Sequence, residues 1–179
     1  GVARGLFSNE AGMGSTPHAH ARAKAESPHH QGLCAMISVF IDTFVILNLT
    51  VFAVLTTDAM SSGKDGTALT QAAFMQSFGN FGSIFIAICL LFFAFSTIIG
   101  WNFYGEQCLR YLTGGSQRAQ RLYRWCYLAA LCTAPLLSVK AAWELADILN
   151  ACMALPNLTA LLLLWRQVVE GSRRPAGKT

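Results

Sequence analysis

Ser96 and Thr97 sit in a run from residue 66 to 105 that carries no Asp, Glu, Lys or Arg, and Trp101 follows Thr97 by four residues. That spacing puts a hydroxyl and an indole on one helical face, where one ligand can touch both. Hydroxyl and carbonyl oxygens suit hard cations at about 2.3–2.6 Å and bind them without burying a negative charge. The same hydroxyls can instead bond carbonyls one turn back, a common habit of Ser and Thr in membrane helices. Residue types alone leave both readings open. Asp42 is the one acid in the apolar stretch 33–56. Its burial in such a medium is costly enough to mark a functional candidate, either a cation ligand or a structural group that pairs with Arg4 or accepts hydrogen bonds from the interrupted helix at the start of the chain.

The opening residues have a different character. Gly5, Gly12 and Gly14 let the backbone leave helical geometry, Ser8 and Asn9 can cap a restarted helix, and Glu10 suits its first turn. A polar break of this kind frees carbonyls that bind a cation or an ammonium group, as in the discontinuous helices of secondary transporters. The four histidines do not make a metal site by spacing: His18 and His20 point to different helix faces, and His29 and His30 follow Ser27-Pro28 at the start of another helix.

These groups need membrane-length elements to hold them. With 54% hydrophobic and 12% charged residues and a mean hydropathy of +0.44, the chain lies far from the ordinary soluble composition of about 25% charged. The residue pattern predicts spans over residues 33–56, 84–105, 122–140 and 147–166, with a short re-entrant or interfacial piece near 72–82 before the second. Pro135 and Pro156 fall within the last two spans, and Trp or Tyr residues flank them. Glu106 and Arg110 are spaced for an i, i+4 pair at the end of the second span.

Basic residues set the expected orientation. Arg110, Arg118, Arg121 and Arg124 lie between the second and third spans, and Arg166, Arg173, Arg174 and Lys178 follow the fourth. Those sides are expected in the cytoplasm, with Arg22, Lys24 and the polar tail 171–179, while the loops near Lys64 and Lys140 face outward. The net charge of +4 is concentrated at segment ends without an interleaved aromatic patch, which argues against nucleic-acid binding. Six cysteines without a CxxC pair read as small core residues. A start at Gly1, with no signal segment, is the expectation for a C-terminal piece whose first element begins upstream.

Arg4 to Ser15, RGLFSNEAGMGS, resembles without a gap the signature of the alanine or glycine:cation symporter family, followed by the AHA tail at residues 19–21. Gln31-Gly32-Leu33, residues 39–43, residues 95–101 and Tyr104-Gly105-Glu106 are also similar to the family pattern, whereas residues 114–179 lack a sharp motif. The resemblance implies an all-α membrane protein with the LeuT-like fold: the second half of a five-plus-five inverted repeat, half a broken helix with its cytoplasmic connection over residues 1–30 and then four spans, with the N-terminal repeat missing. It implies a sodium ion held by the Phe93 carbonyl and the hydroxyls of Ser96 and Thr97; Asp42 is a further possible ligand on its buried charge alone. The backbone around Phe7 and the hydroxyl of Ser8 would meet a substrate ammonium, Asn9 would hold the break open, and Thr97 and Trp101 would form the opposite wall.

A Trp in that wall leaves room for little beyond alanine or glycine. The implied activity is sodium-coupled symport of a small amino acid across the plasma membrane, without covalent chemistry, in a lipid bilayer. The alternatives are another substrate or a proton as coupling ion. A membrane metalloenzyme would need a His, Asp or Glu cluster within the spans, where Asp42 stands alone in the first and Asp147 only at the edge of the fourth, and a purely structural subunit would not need the Gly-rich break.

Overall fold

Apolar runs bounded by Pro, Gly and Ser signals become helices throughout a computed structural model that describes residues 2–173. The described residues divide between two compact units, one from residues 2–37 and 102–173 and the other from residues 38–101. Expectations for residues 174–179, including Arg174, Lys178 and most of the polar tail, lie outside the described residues.

The first unit opens with α1 (Val2–Ser8), a non-helical stretch, and the single turn α2 (Pro17–His20). Next comes α3 (Pro28–Phe40), which starts here because Pro28 is preset for a first helical position and the Ser27 hydroxyl accepts from the His30 amide at 3.1 Å. The end of α6 (Asn80–Leu112), α7 (Gln117–Thr133), α8 (Val139–Leu163) and α9 (Trp165–Arg173) complete the unit. Tyr123 of α7 lies so close to Gly105 of α6 that any side chain there would run into its ring.

The helix boundaries differ from the bounds expected for the third and fourth spans, 122–140 and 147–166. α7 starts five residues earlier and stops at Thr133. Pro135 then sits in a 3-10 turn, Ala134–Leu136, because it cannot donate to the helical ladder. Ser138 restarts the chain by accepting from the Ala141 amide at 3.3 Å, so residues 139 and 140 belong to α8. α8 then runs through Pro156 to Leu163.

In the second unit the helix begun by α3 passes through a π-helical segment, Ile41–Ile46, into α4 (Leu47–Leu55). A 3-10 turn, Asp58–Ser62, leads to α5 (Gly66–Phe78), which covers most of the stretch expected to be re-entrant. The chain reverses at Gly79 into α6, and Gly82 lets the backbone of α6 reach the Phe74 carbonyl where a Cβ would collide. Gln71 donates to the Ser83 hydroxyl at 2.7 Å across the same contact.

Three described helices are long and apolar enough to cross a membrane: Pro28–Leu55, Asn80–Leu112 and Val139–Leu163. Their Leu, Ile and Phe side chains are largely exposed, as lipid-facing or partner-facing surfaces require. The chain is therefore an all-α membrane protein. α7 is shorter, at 17 residues, and carries Arg118, Arg121 and Arg124 in its first half.

Candidate substrate and cation site

The break between α1 and α2 is built from backbone reversals. α1 ends as the amides of Glu10 and Ala11 donate to the carbonyls of Phe7 at 3.2 Å and Leu6 at 3.0 Å. Glu10 takes a left-handed conformation, φ 49°, that costs a non-glycine residue about 1–2 kcal/mol. Its carboxylate offsets that cost by accepting from the Ser15 hydroxyl at 2.5 Å and from the Tyr104 hydroxyl. Ser8 is thus the last residue of α1 and Asn9 follows it. The expected role of these two as caps of a restarted helix is corrected, because the restart comes only at Pro17.

Two residues that sequence reasoning passed over hold this loop. Tyr104 of α6 engages Glu10, and Asn157 of α8 donates to the Gly12 carbonyl at 3.0 Å. Gly14, at φ 76°, packs so tightly on Asn157 that a Cβ would lie 2.7 Å from its side-chain oxygen. The available signal for Asn157 was a polar amide directly after Pro156 in an apolar run. Beside the loop is a cavity of about 280 Å³ whose polar walls include Ser15, His18, Tyr104 and Asn157, with Met13 and Met153 as apolar walls. Ser15 is 1% exposed, and its hydroxyl is satisfied by the Glu10 carboxylate.

α1 is anchored to α8 on its other side. The Arg4 guanidinium lies 3.6 Å from the Trp143 ring centroid and donates to Asp147 at 2.9 Å, while Phe7 meets the same indole edge-on at 5.6 Å. Arg4 therefore pairs with Asp147 of α8. Glu106 accepts from Arg124 at 2.5 Å, not from Arg110, because α7 brings a guanidinium to the carboxylate from another helix. His18 and His20 part company: His18 contacts the Cys108 sulfur at 3.6 Å and His20 bonds Gln31 at 2.7 Å.

Of the expected site residues, Phe7, Ser8 and Asn9 belong to the first unit, and Asp42, Phe93, Ser96, Thr97 and Trp101 to the second. Within the second unit the Ser96 hydroxyl donates to the Phe93 carbonyl at 3.0 Å. The back-bonding alternative is thereby realised for Ser96, and the same contact holds two of the expected oxygen ligands side by side. Thr97 is exposed and Trp101 half-buried, four residues apart on α6. Asp42 lies in the π-helical segment, where the Leu47 amide reaches back five residues to its carbonyl. Such segments are rare and concentrate at functional positions. Next in α6, Asn102 carries a buried side-chain oxygen without a hydrogen-bond partner, the kind of acceptor that a ligand or water completes.

The chain matches the family model described as the sodium:alanine symporter family over residues 1–174. It is 41% identical, across 97% of its length, to the sodium/alanine symporter AgcS of Methanococcus maripaludis and equally to an uncharacterized transporter of Haemophilus influenzae, covering 38% of each. It is also 41% identical, across 94% of its length, to the probable sodium/glutamine symporter GlnT of Bacillus subtilis, covering 35% of that protein. The chain thus spans well under half the length of these relatives. No solved structure matches it. A gapless broken-helix signature, helices of membrane length and a family match across nearly every residue agree: this chain belongs to the sodium:alanine symporter family.

Proposed function

We propose that the chain forms the second half of a LeuT-like five-plus-five transporter that couples sodium entry to uptake of a small neutral amino acid, alanine or glycine, by alternating access. The observation that carries this reading is the loop at residues 9–16, held open by Glu10, Tyr104 and Asn157 in a chain of symporter ancestry. Many secondary transporters build their sites on such a break, because an interrupted helix exposes backbone polar groups to cargo inside a membrane. In this reading Phe7, Ser8 and Asn9 meet the ammonium, and Thr97 and Trp101 bound the side chain. The Phe93 carbonyl, Ser96 and Thr97 take the sodium ion. The first repeat, from the remainder of the transporter, completes both shells. Four crossings of the plasma membrane, α7 included, with a cytoplasmic C-terminus, follow from the Arg and Lys distribution.

Asp42 is the residue on which a second reading turns. A carboxylate within a π-helical segment of a membrane-length helix suits proton coupling as well as a cation ligand. The likeness to a probable sodium/glutamine symporter also favours a larger cargo as the alternative. Uptake into proteoliposomes holding the intact transporter separates these. Under the main reading, an inward sodium gradient drives accumulation of labelled alanine and glycine, and a proton gradient in sodium-free buffer does not. Accumulation driven by protons alone refutes sodium coupling, and glutamine outcompeting alanine refutes the small-cargo assignment.

A further inference from the structure

A cavity of about 730 Å³ lies where the chain leaving α2 meets the last turns of α6. Arg22 and Arg110 both line it, with His18 and Gln107 as further polar walls and Pro17, Ala21 and Leu112 as apolar ones, and no carboxylate is among its lining residues. Glu106, the acid one turn before Arg110, is taken by Arg124. Arg22 lies 6.0 Å from the Phe103 ring, a contact that holds its stem without neutralising its charge. Among the described residues neither Arg22 nor Arg110 has a carboxylate partner. Two guanidinium groups lining one acid-free cavity offer an anion two sets of donors, and arginine's planar fork matches phosphate oxygens.

The depth of the cavity identifies the anion's source. The uncharged stretch of α6 ends at Gly105, and Arg110 lies beyond Glu106 by one turn, about 6 Å of helix rise. That rise is close to the thickness of one headgroup layer, since the bilayer's polar regions add about 5–8 Å on each side of the hydrocarbon core. Tyr111 and Leu112, 88% and 78% exposed, stand at the same rim, as interfacial side chains do. We propose that this cavity binds the phosphate of an anionic phospholipid headgroup through Arg22 and Arg110, with the acyl chains lying along the exposed apolar surface of α6. This assignment does not depend on which amino acid or cation is carried.

The test uses the intact transporter purified in detergent and given labelled phosphatidylglycerol, with phosphatidylcholine and inorganic phosphate as competitors. Wild type is expected to retain phosphatidylglycerol against excess phosphatidylcholine and against inorganic phosphate. The R22Q/R110Q variant is expected to lose about 25-fold in affinity, roughly fivefold for each arginine near a membrane surface. R118Q/R121Q, which changes charge on α7 outside the cavity lining, should behave as wild type. Three results overturn the proposal: equal retention by R22Q/R110Q, displacement by phosphatidylcholine, or full displacement by inorganic phosphate, which would make free phosphate the ligand. The competition arms use wild type alone, so poor folding of a variant does not remove the test.

Discussion

Gly14→Ala should damage the transporter out of proportion to the single methyl group it adds. At φ 76° an alanine pays the left-handed penalty of about 1–2 kcal/mol. The new Cβ would also stand 2.7 Å from the Asn157 side-chain oxygen, 2.9 Å from its Cγ and 3.3 Å from its Cβ. Rotating the amide relieves the first two contacts but breaks its 3.0 Å bond to the Gly12 carbonyl, at about 0.5–1.5 kcal/mol. Together these give about 1.5–3.5 kcal/mol, a large share of the stability of a marginally stable protein. Asn157→Ala alone removes the same hydrogen bond. In Gly14→Ala/Asn157→Ala that bond is lost only once, so the double variant should be about 1 kcal/mol more stable than the sum of the two losses. Thermal and denaturant unfolding of the intact transporter, with sodium-driven uptake in parallel, measures both quantities. Strict additivity, or a neutral Gly14→Ala, would refute the close packing of loop and α8.

Thr97→Val keeps shape and removes a hydroxyl; if that hydroxyl only bonds backbone, the loss is about 1–2 kcal/mol of helix contact with unchanged sodium dependence. We expect instead that it raises the half-saturating sodium concentration for alanine uptake, with excess sodium restoring part of the activity by linkage. Ser96→Ala should act in the same direction but less strongly. Trp101→Ala should weaken alanine uptake and improve relative recognition of larger side chains; unchanged selectivity across an amino-acid panel would return Trp101 to packing. Single cysteines at Ser62 and Ser116 in a cysteine-free background should react with an impermeant thiol reagent from opposite sides of the membrane, and labelling of both from outside would refute the four-crossing orientation.

Membrane-length helices were legible because the signal is local: about 20 consecutive apolar residues must form a helix in lipid to satisfy their own backbone groups. The broken element was legible for a similar reason, since Gly12 and Gly14 together with the polar residues at 8–10 cannot continue an ordinary helix cheaply. Where that break starts was not, because the left-handed conformation of Glu10 goes with a carboxylate that accepts from the Ser15 and Tyr104 hydroxyls, which the fold brings to it. Partner choice was likewise a matter of packing. Spacing along one helix favoured Glu106 with Arg110, yet α7 delivers Arg124, and Arg4 finds Asp147 across 143 residues of sequence. The π-helical segment around Asp42 left no mark in residue types, for it is a change of hydrogen-bond register within an unbroken apolar run. Periodicity and length decide what each segment becomes, whereas the partners of a charge or an amide depend on which helices meet, and only the folded chain settles that.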